Sequence, residues 1–102
     1  MSKVKKILKR NRKKSKLLIV NGANAFWVHQ GPILRSLWDL AQFLEIITEE
    51  QFVYHTKRDG NDFARWVGEI IQDKICAGAL TRAKTRRAAL AALRRALTRY
   101  DV

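Results

Sequence analysis

The residues that decide the fold class are Asn61-Asp-Phe-Ala-Arg-Trp-Val-Gly-Glu-Ile-Ile71. Apolar side chains recur within this stretch at intervals of three and four residues, which is the period of an amphipathic helix. They are Phe63, Trp66, Val67, Ile70 and Ile71. Asn61 is placed to cap the helix, and Asp62 follows in the first turn, where the helix dipole favours a negative charge. The stretch therefore predicts a helix with one buried face.

Related patterns predict helices on both sides of this stretch. Residues 34–47 carry apolar side chains on two faces, which is typical of a deeply placed helix. The first face holds Leu34, Leu37, Trp38, Ala41 and Leu44, and the second holds Leu40, Phe43 and Ile47. Thr48-Glu-Glu-Gln51 matches a capping box, so a short helix should begin there and continue to about His55, with Phe52 and Val53 pointing inward.

Two more helices are predicted towards the C-terminus. Asp73 is placed to cap a helix that carries small and mid-sized apolar residues, although Gly78 weakens it. Thr85 is placed to cap an alanine-rich helix that continues to about Tyr100. A narrow leucine stripe, Leu90, Leu93 and Leu97, should dock that last helix and leave an arginine face in solvent.

The region before these helices indicates extended structure. Leu17-Leu-Ile-Val20 is an apolar run of strand length, and Asn21-Gly-Ala-Asn24 after it is typical of a turn. Residues 25–28 are also strand-like, so the two runs are candidates to pair as a hairpin, with helix not excluded. Gly31-Pro32 should then end regular structure.

Charged residues fall into three blocks along the chain. Residues 1–16 have nine basic and no acidic side chains, residues 17–73 have four basic and eight acidic, and residues 74–102 have eight basic and one acidic. The formal net charge is +12, which sets up a field that attracts polyanions. Like charges at the density of the first block repel one another, so we expect a flexible arm.

These patterns together predict a mainly α-helical protein of one domain. The expected architecture is a compact bundle of four to five short helices over residues 17–102, with a short N-terminal β-hairpin as an option, preceded by a basic arm over residues 1–16. The longest apolar run in the first third, Leu17 to Val20, is too short for a signal peptide or a membrane span. We therefore expect a cytoplasmic protein.

The body of the chain resembles a small, uncharacterised prokaryotic family of helical domains. The resembling stretch runs from Phe26 to about Leu97, roughly 70% of the chain, and the residues that carry the resemblance are Phe26-Trp-Val28, Gly31, Leu34, Ser36-Leu37, Asp39-Leu40, Leu44, Phe52, His55, Asn61-Asp-Phe63 and Trp66-Val67. The resemblance implies a compact helical fold that is often attached to other segments, and it brings no known reaction. The basic arm and the arginine-rich last helix depart from the family pattern.

No arrangement of reactive residues predicts an enzyme. Cys76 with His55 is formally a nucleophile and a base, and His55, Asp59 and Asp62 are formally a metal or acid–base set, but core packing and turn formation explain them more simply. One cysteine and two histidines are too few for an ordinary zinc site, and a P-loop is absent. We predict no metal and no cofactor. Trp38 and Trp66 lie on apolar helix faces and should be buried, whereas Phe26 and Trp27, if exposed, are a candidate interaction surface.

The leading functional hypothesis is a non-enzymatic protein that binds nucleic acid largely independently of sequence, either on the chromosome or with RNA. Basic side chains would neutralise phosphates and release counterions. The candidate contacts are Lys3, Lys5, Lys6, Lys9, Arg10, Arg12, Lys13, Lys14 and Lys16 in the arm, and Arg82, Lys84, Arg86, Arg87, Arg94, Arg95 and Arg99 near the C-terminus.

The alternative is a protein–protein interaction module whose basic ends bind an acidic partner or a membrane surface. Membrane binding is disfavoured, because the arm has no aromatic residue and only a short apolar stripe. Pairing of the acidic middle block with a basic end of another copy leaves a homo-oligomer open.

Overall fold

The computed structural model describes residues 14–102, so candidate contacts Lys3 to Lys13 lie outside the described residues. The described chain has five α-helices and four two-residue strands. The helices are α1 (Leu37–Leu44), α2 (Glu49–Lys57), α3 (Asp62–Trp66), α4 (Lys74–Arg82) and α5 (Arg86–Leu97). The strands are β1 (Ser15–Lys16), β2 (Phe26–Trp27), β3 (Ile33–Leu34) and β4 (Tyr100–Asp101). The predicted mainly α-helical fold is confirmed.

Side-chain caps set where the helices begin. The predicted capping box is present at α2, where the Thr48 hydroxyl accepts from the Gln51 N–H at 3.0 Å and the Gln51 side chain bonds back to the Thr48 N–H. Asn61, Asp73 and Thr85 cap α3, α4 and α5 as predicted. α1 begins later than predicted, because the Ser36 hydroxyl accepts from the Asp39 N–H and forms the cap itself.

A β-hairpin is present, but its strands differ from the predicted pair. β2 and β3 are antiparallel, with Phe26 opposite Leu34 and Trp27 opposite Ile33. Gly31 therefore lies in the hairpin turn rather than ending regular structure, and a Cβ there would be 2.6 Å from the Val28 side chain. The prediction that Leu17–Val20 forms the first strand is wrong, since the Val20 N–H instead donates to the Arg35 carbonyl just after β3.

A second pairing attaches the end of the predicted arm to the body. β1 runs parallel to β4, with Ser15 opposite Tyr100, and the Ser15 N–H donates to the Arg99 carbonyl at 3.0 Å. The N-terminal and C-terminal ends of the described chain therefore lie side by side.

The core is formed where α5 packs against both α1 and α4. The buried face of α5 includes Ala89, Ala92 and Ala96 beside Leu90 and Leu93, so it is broader than the predicted leucine stripe. Small side chains let the helix backbones approach closely, which explains why alanines are in the core rather than in solvent. The helix also ends at Leu97, three residues before the predicted end, and Tyr100 belongs to β4.

The stretch at residues 61–71 is helical but not one continuous α-helix. α3 ends at Trp66, and the chain continues as a π-helical turn from Val67 to Ile71. The turn ends at Gln72, whose φ of +66° is left-handed. Gly68 faces α4, where a Cβ would lie 3.3 Å from Ala77. The wider turn thus accompanies a close approach of two helices, which the apolar period alone does not reveal.

Trp38 is exposed, contrary to the prediction that it belongs to the core. Its relative exposure is 46%, whereas Trp66 is buried as predicted. The reason is that α1 buries only one broad face, formed by Leu37, Leu40, Ala41, Phe43 and Leu44. Val53, which was expected to point inward from α2, is also exposed.

Candidate nucleic-acid interface

Three of the seven C-terminal basic residues predicted to bind nucleic acid are bonded within the protein. Arg94 Nη2 lies 2.6 Å from the Glu45 carboxylate, in an exposed ion pair between α5 and the end of α1. Arg86 Nη1 donates to the Leu44 carbonyl at 2.9 Å, which satisfies a free carbonyl at the C-terminus of α1. Arg99 donates to both carboxylate oxygens of Asp73. These arginines stabilise the tertiary structure, so their guanidinium groups are less available to bind a ligand.

Asp73 joins the start of α4 to the C-terminal strand. Its carboxylate accepts from the Cys76 N–H at 2.9 Å, from the Tyr100 hydroxyl at 2.7 Å and from Arg99 at 2.9 Å. Burial alone would raise the pKa of Asp73, but these hydrogen bonds and the Arg99 charge outweigh it and hold the pKa below its ordinary value. Burial raises the pKa of the Tyr100 hydroxyl, and its hydrogen bond to the Asp73 carboxylate raises it further.

The remaining C-terminal cations are exposed and form no ion pair with any residue that the structure describes. They are Arg82, Lys84, Arg87 and Arg95. Arg82 and Arg95 line a notch of about 210 Å³ between α4 and α5, with a floor of Ala79, Ala83 and Ala88. The two arginines share this notch with small side chains, which leave room for an anion to approach.

A second notch continues this surface towards α2. It has a volume of about 400 Å³ and is lined by Lys57 and Lys84, with Ala83 shared between the two notches. None of the described residues that line either notch is acidic. We call the four cations Lys57, Arg82, Lys84 and Arg95 the basic strip. Like charges gathered without a counter-charge are a typical feature of a polyanion-binding surface.

Lys57 is a member of the basic strip that the sequence analysis missed. It was assigned to a turn, whereas it ends α2 and faces the α4–α5 connection. It comes from the mildly acidic block, and no local pattern connects it with Lys84, which lies 27 residues further on. Only the packing of α2 on the rest of the bundle brings the two lysines together.

Lys14 and Lys16 are the two candidates of the predicted arm that the structure describes. Both are exposed, beside the β1–β4 pairing. They lie next to Asp101, which is opposite Lys16 in the register. These two lysines extend the positive charge of the α5 end of the molecule, but they do not line the notches of the basic strip.

His55 lies in a hydrogen-bonded cluster that joins the hairpin to α3. The ring is buried, its Nε2 atom accepts from the His29 N–H at 3.0 Å, and its Nδ1 atom is 3.0 Å from the Asp62 carboxylate. Because Nε2 accepts a backbone proton, the neutral ring carries its own proton on Nδ1 and donates it to Asp62. Both nitrogens are thus occupied, and Asp62 is also paired with Arg65. This arrangement agrees with the interpretation that His55 and Asp62 stabilise the fold rather than bind a metal or act in acid–base chemistry.

Cys76 is buried near the start of α4, and its backbone N–H donates to the Asp73 carboxylate. Burial, followed by the negative charge of Asp73, raises the pKa of the Cys76 thiol to about 12. The group is therefore a neutral thiol at physiological pH rather than a thiolate nucleophile. Over residues 14–102, no group of three or more His, Cys, Asp or Glu side chains is arranged to hold a metal ion.

No helix within residues 14–102 has the length and apolar character required to cross a membrane. Comparison with known proteins adds no assignment: no family model, no curated protein and no solved structure matches the chain. The resemblance to an uncharacterised family of helical domains therefore stays a prediction.

Proposed function

We propose that this protein is a non-enzymatic nucleic-acid-binding protein that contacts phosphates through the basic strip, with the N-terminal arm as a second contact. The observation that carries the proposal is the convergence of Lys57, Arg82, Lys84 and Arg95 around two adjoining notches without a described acidic neighbour. Binding of this kind depends on charge and releases counterions, so it is strong at low salt and largely independent of sequence.

The geometry supports a narrower set of contacts than the charge pattern alone. Arg86, Arg94 and Arg99 are bonded to Leu44, Glu45 and Asp73, so we propose that they position the helices and contribute less to binding. Arg87 is exposed on α5 and adds to the positive field. A cytoplasmic location, at the nucleoid or on ribonucleoprotein, follows from this function and is part of the proposal.

A second candidate function is protein–protein interaction through an apolar surface. A shallow groove of about 460 Å³ lies beside α1 and the hairpin and is lined by Ile33, Phe43 and Ile46, among others. Ile46 is 75% exposed. Apolar side chains exposed as a group are typical of binding surfaces. Under this alternative, the basic strip would bind an acidic protein rather than a nucleic acid.

A binding titration at several salt concentrations tests the leading proposal. Fluorescence anisotropy of a labelled DNA duplex and of a structured RNA should give a linear log–log dependence of affinity on salt. If six to eight phosphates are contacted, the slope should be about −5 to −7. A slope near zero would overturn nucleic-acid binding and favour the protein-interaction candidate.

Neighbouring arginines on α5 provide a matched pair of variants. Arg95→Gln removes a charge of the basic strip, whereas Arg94→Gln removes one that is paired with Glu45. Arg95→Gln should reduce the magnitude of the salt slope by about 1, and replacing all four strip cations by Gln should reduce it by between about 3 and 4. A chain that begins at Lys14 measures the contribution of the arm. If Arg94→Gln weakens binding as much as Arg95→Gln, the basic strip is not the contact surface.

A further inference from the structure

An open groove of about 420 Å³ lies between the hairpin, α2 and the start of α3, next to the basic strip. Its floor is formed by the buried rings of Phe26, His55 and Trp66. His55 and Trp66 each pack edge-on against Phe26, with centroid distances of 5.0 Å and 5.7 Å. The floor is therefore aromatic and closely packed, and it supports the side chains at the rim.

Trp27 stands at the rim of this groove with 62% of its surface exposed. The indole is held in place, because its Nε1–H donates to the Gly22 carbonyl at 3.1 Å and its backbone is paired with Ile33 in the hairpin. An exposed tryptophan that is already held in one orientation offers a flat apolar face, and binding a ligand to it costs little conformational entropy. Stacking of a planar ring is the contact that such a face favours.

The opposite rim carries a column of stacked side chains. The His29 ring is parallel to the Tyr54 ring at 3.8 Å, and the Arg58 guanidinium lies 4.1 Å from the Tyr54 centroid. Two groups so close to one ring cannot share a face, so His29 and Arg58 cover opposite faces of Tyr54. The guanidinium is thereby placed over the Tyr54 ring, and because Arg58 is exposed, its outer side is accessible to a ligand.

The charges around the groove cancel. Arg58 and Arg65 are balanced by Asp62 and Glu69, and Arg65 is already bonded to Asp62 at 3.0 Å. A phosphate would gain little here in comparison with the basic strip. An uncharged planar ring with polar edges fits better, since it stacks on Trp27 or Arg58 while the Glu69 carboxylate accepts from its amino or imino groups.

We propose that this groove binds an unpaired nucleobase, so that the protein holds single strands or unpaired loops in addition to duplex phosphates. The inference rests on the proposed function and adds base stacking to it. Lys57 and Arg58 are consecutive residues, and the first lines the basic strip while the second lines the groove. The end of α2 therefore contributes one side chain to each surface, so a strand whose phosphates contact the basic strip would reach the groove around the end of this helix. Bases in a duplex are stacked on their neighbours and are not free to enter.

Paired titrations with single-stranded oligothymidine and with a duplex of the same length test the inference. Trp27→Ala should lower the single-strand affinity about 5-fold to 100-fold, in line with the usual loss for one stacked base. The duplex affinity should change by less than about twofold. Trp27→Phe should recover part of the single-strand affinity, because a smaller aromatic face remains. Trp38→Ala removes the other exposed tryptophan, which does not line the groove, and should change neither affinity.

Tryptophan emission gives a second readout in the folded protein. In a Trp38→Phe background, Trp27 is the exposed indole among the described residues and Trp66 is buried, so oligothymidine should quench the emission and the duplex should not. An unchanged single-strand affinity in Trp27→Ala, or an equal loss for both ligands, overturns the groove as a base site while leaving phosphate binding intact. Quenching by a neutral oligosaccharide but not by oligothymidine overturns it in favour of a sugar ligand. If the unmodified protein binds neither nucleic acid, the proposed function fails and this inference fails with it.

Discussion

The hairpin side of the molecule and the α4–α5 side use their polar groups in opposite ways. Around the hairpin, polar side chains bond to one another and to the backbone: His55 bonds to His29 and Asp62, Gln51 donates to the carbonyls of His29 and Gln30, and Trp66 donates to Asn24. On the α4–α5 side, Arg82 and Arg95 converge with no described acidic partner. The first arrangement stabilises the fold, and the second leaves charge available to a ligand.

This difference shows that a basic residue is informative about function only when its partners are known. The arginines of the C-terminal block look equivalent as a charge pattern, yet α5 places Arg94 against Glu45 and leaves the adjacent Arg95 without a described counter-charge. Substitutions on the two sides should consequently separate stability from binding. Changes to the buried hydrogen-bonded groups near the hairpin should lower stability, and changes in the basic strip should weaken binding without lowering it.

The largest effect on stability is expected for His55→Ala. The substitution leaves the His29 N–H and the Asp62 carboxylate without their partner and opens a cavity next to Phe26 and Phe63. We expect a loss of about 2–4 kcal/mol in the free energy of unfolding. Urea denaturation followed by circular dichroism measures it. Val53→Ala, at an exposed position of the same helix, is the control and should cost well under half as much. A loss below about 1 kcal/mol would contradict the structural role of His55.

A smaller effect, with a defined pH dependence, is expected at Asp73. Asn at this position can still cap α4, but it loses the charged contacts with Arg99 and Tyr100, so Asp73→Asn should cost about 1–2 kcal/mol at neutral pH. Because the folded pKa of Asp73 lies below its unfolded value of about 3.9, its contribution is present above that value and is lost as pH falls through the folded pKa.

Denaturation of the wild type and of Asp73→Asn at pH 7 and at about pH 2 checks this pH dependence. The difference between the two proteins should shrink at the lower pH, since the Asp73 carboxyl is then protonated in the unfolded protein and its lowered pKa no longer favours the folded state as strongly. An equal difference at both pH values would show that the carboxylate charge contributes nothing. Asp59→Asn is the control, because it removes one negative charge from an exposed side chain of the turn between α2 and α3.

The smallest effect on stability is expected from the basic strip itself. Replacing Arg82 and Arg95 by Gln removes two exposed charges that form no ion pair with described residues, so the free energy of unfolding should change by less than about 0.5 kcal/mol. Any change should be towards higher stability, because repulsion between the two guanidinium groups is relieved. Thermal melts at low and moderate salt measure this. A marked loss of stability would mean that these arginines serve the fold, as Arg86 does.

Much of the helical architecture was predictable because its signals are local. The caps Thr48, Asn61, Asp73 and Thr85 act on N–H groups two or three residues away, so a short pattern is sufficient to identify them. The first hairpin strand was misplaced because Leu17 and Val20 pack against the core without strand pairing, while Leu18 and Ile19 between them are exposed. The apolar period also failed for Trp38, since periodicity does not tell which of two apolar faces another element covers.

The candidate site was predictable only in part, for a related reason. Local sequence indicates that residues 74–102 are strongly basic and helical, and that Trp27 is a candidate surface residue. Arg86, Arg94 and Arg99 are bonded to partners that lie 26 to 49 positions away in the sequence, so local patterns do not show that these arginines are paired. The convergence of Lys57 with Lys84, and of Trp27 with Arg58, is likewise a result of helix packing.

The amino-acid sequence by itself therefore determined the helices, their caps and the uneven distribution of charge, because these depend on neighbours along the chain. The tertiary structure decided which cations are bonded within the protein, which tryptophans face solvent, and which residues line the basic strip and the aromatic groove. Those features depend on contacts between distant residues, and burial in one core shared by the hairpin and the helices is what brings them together.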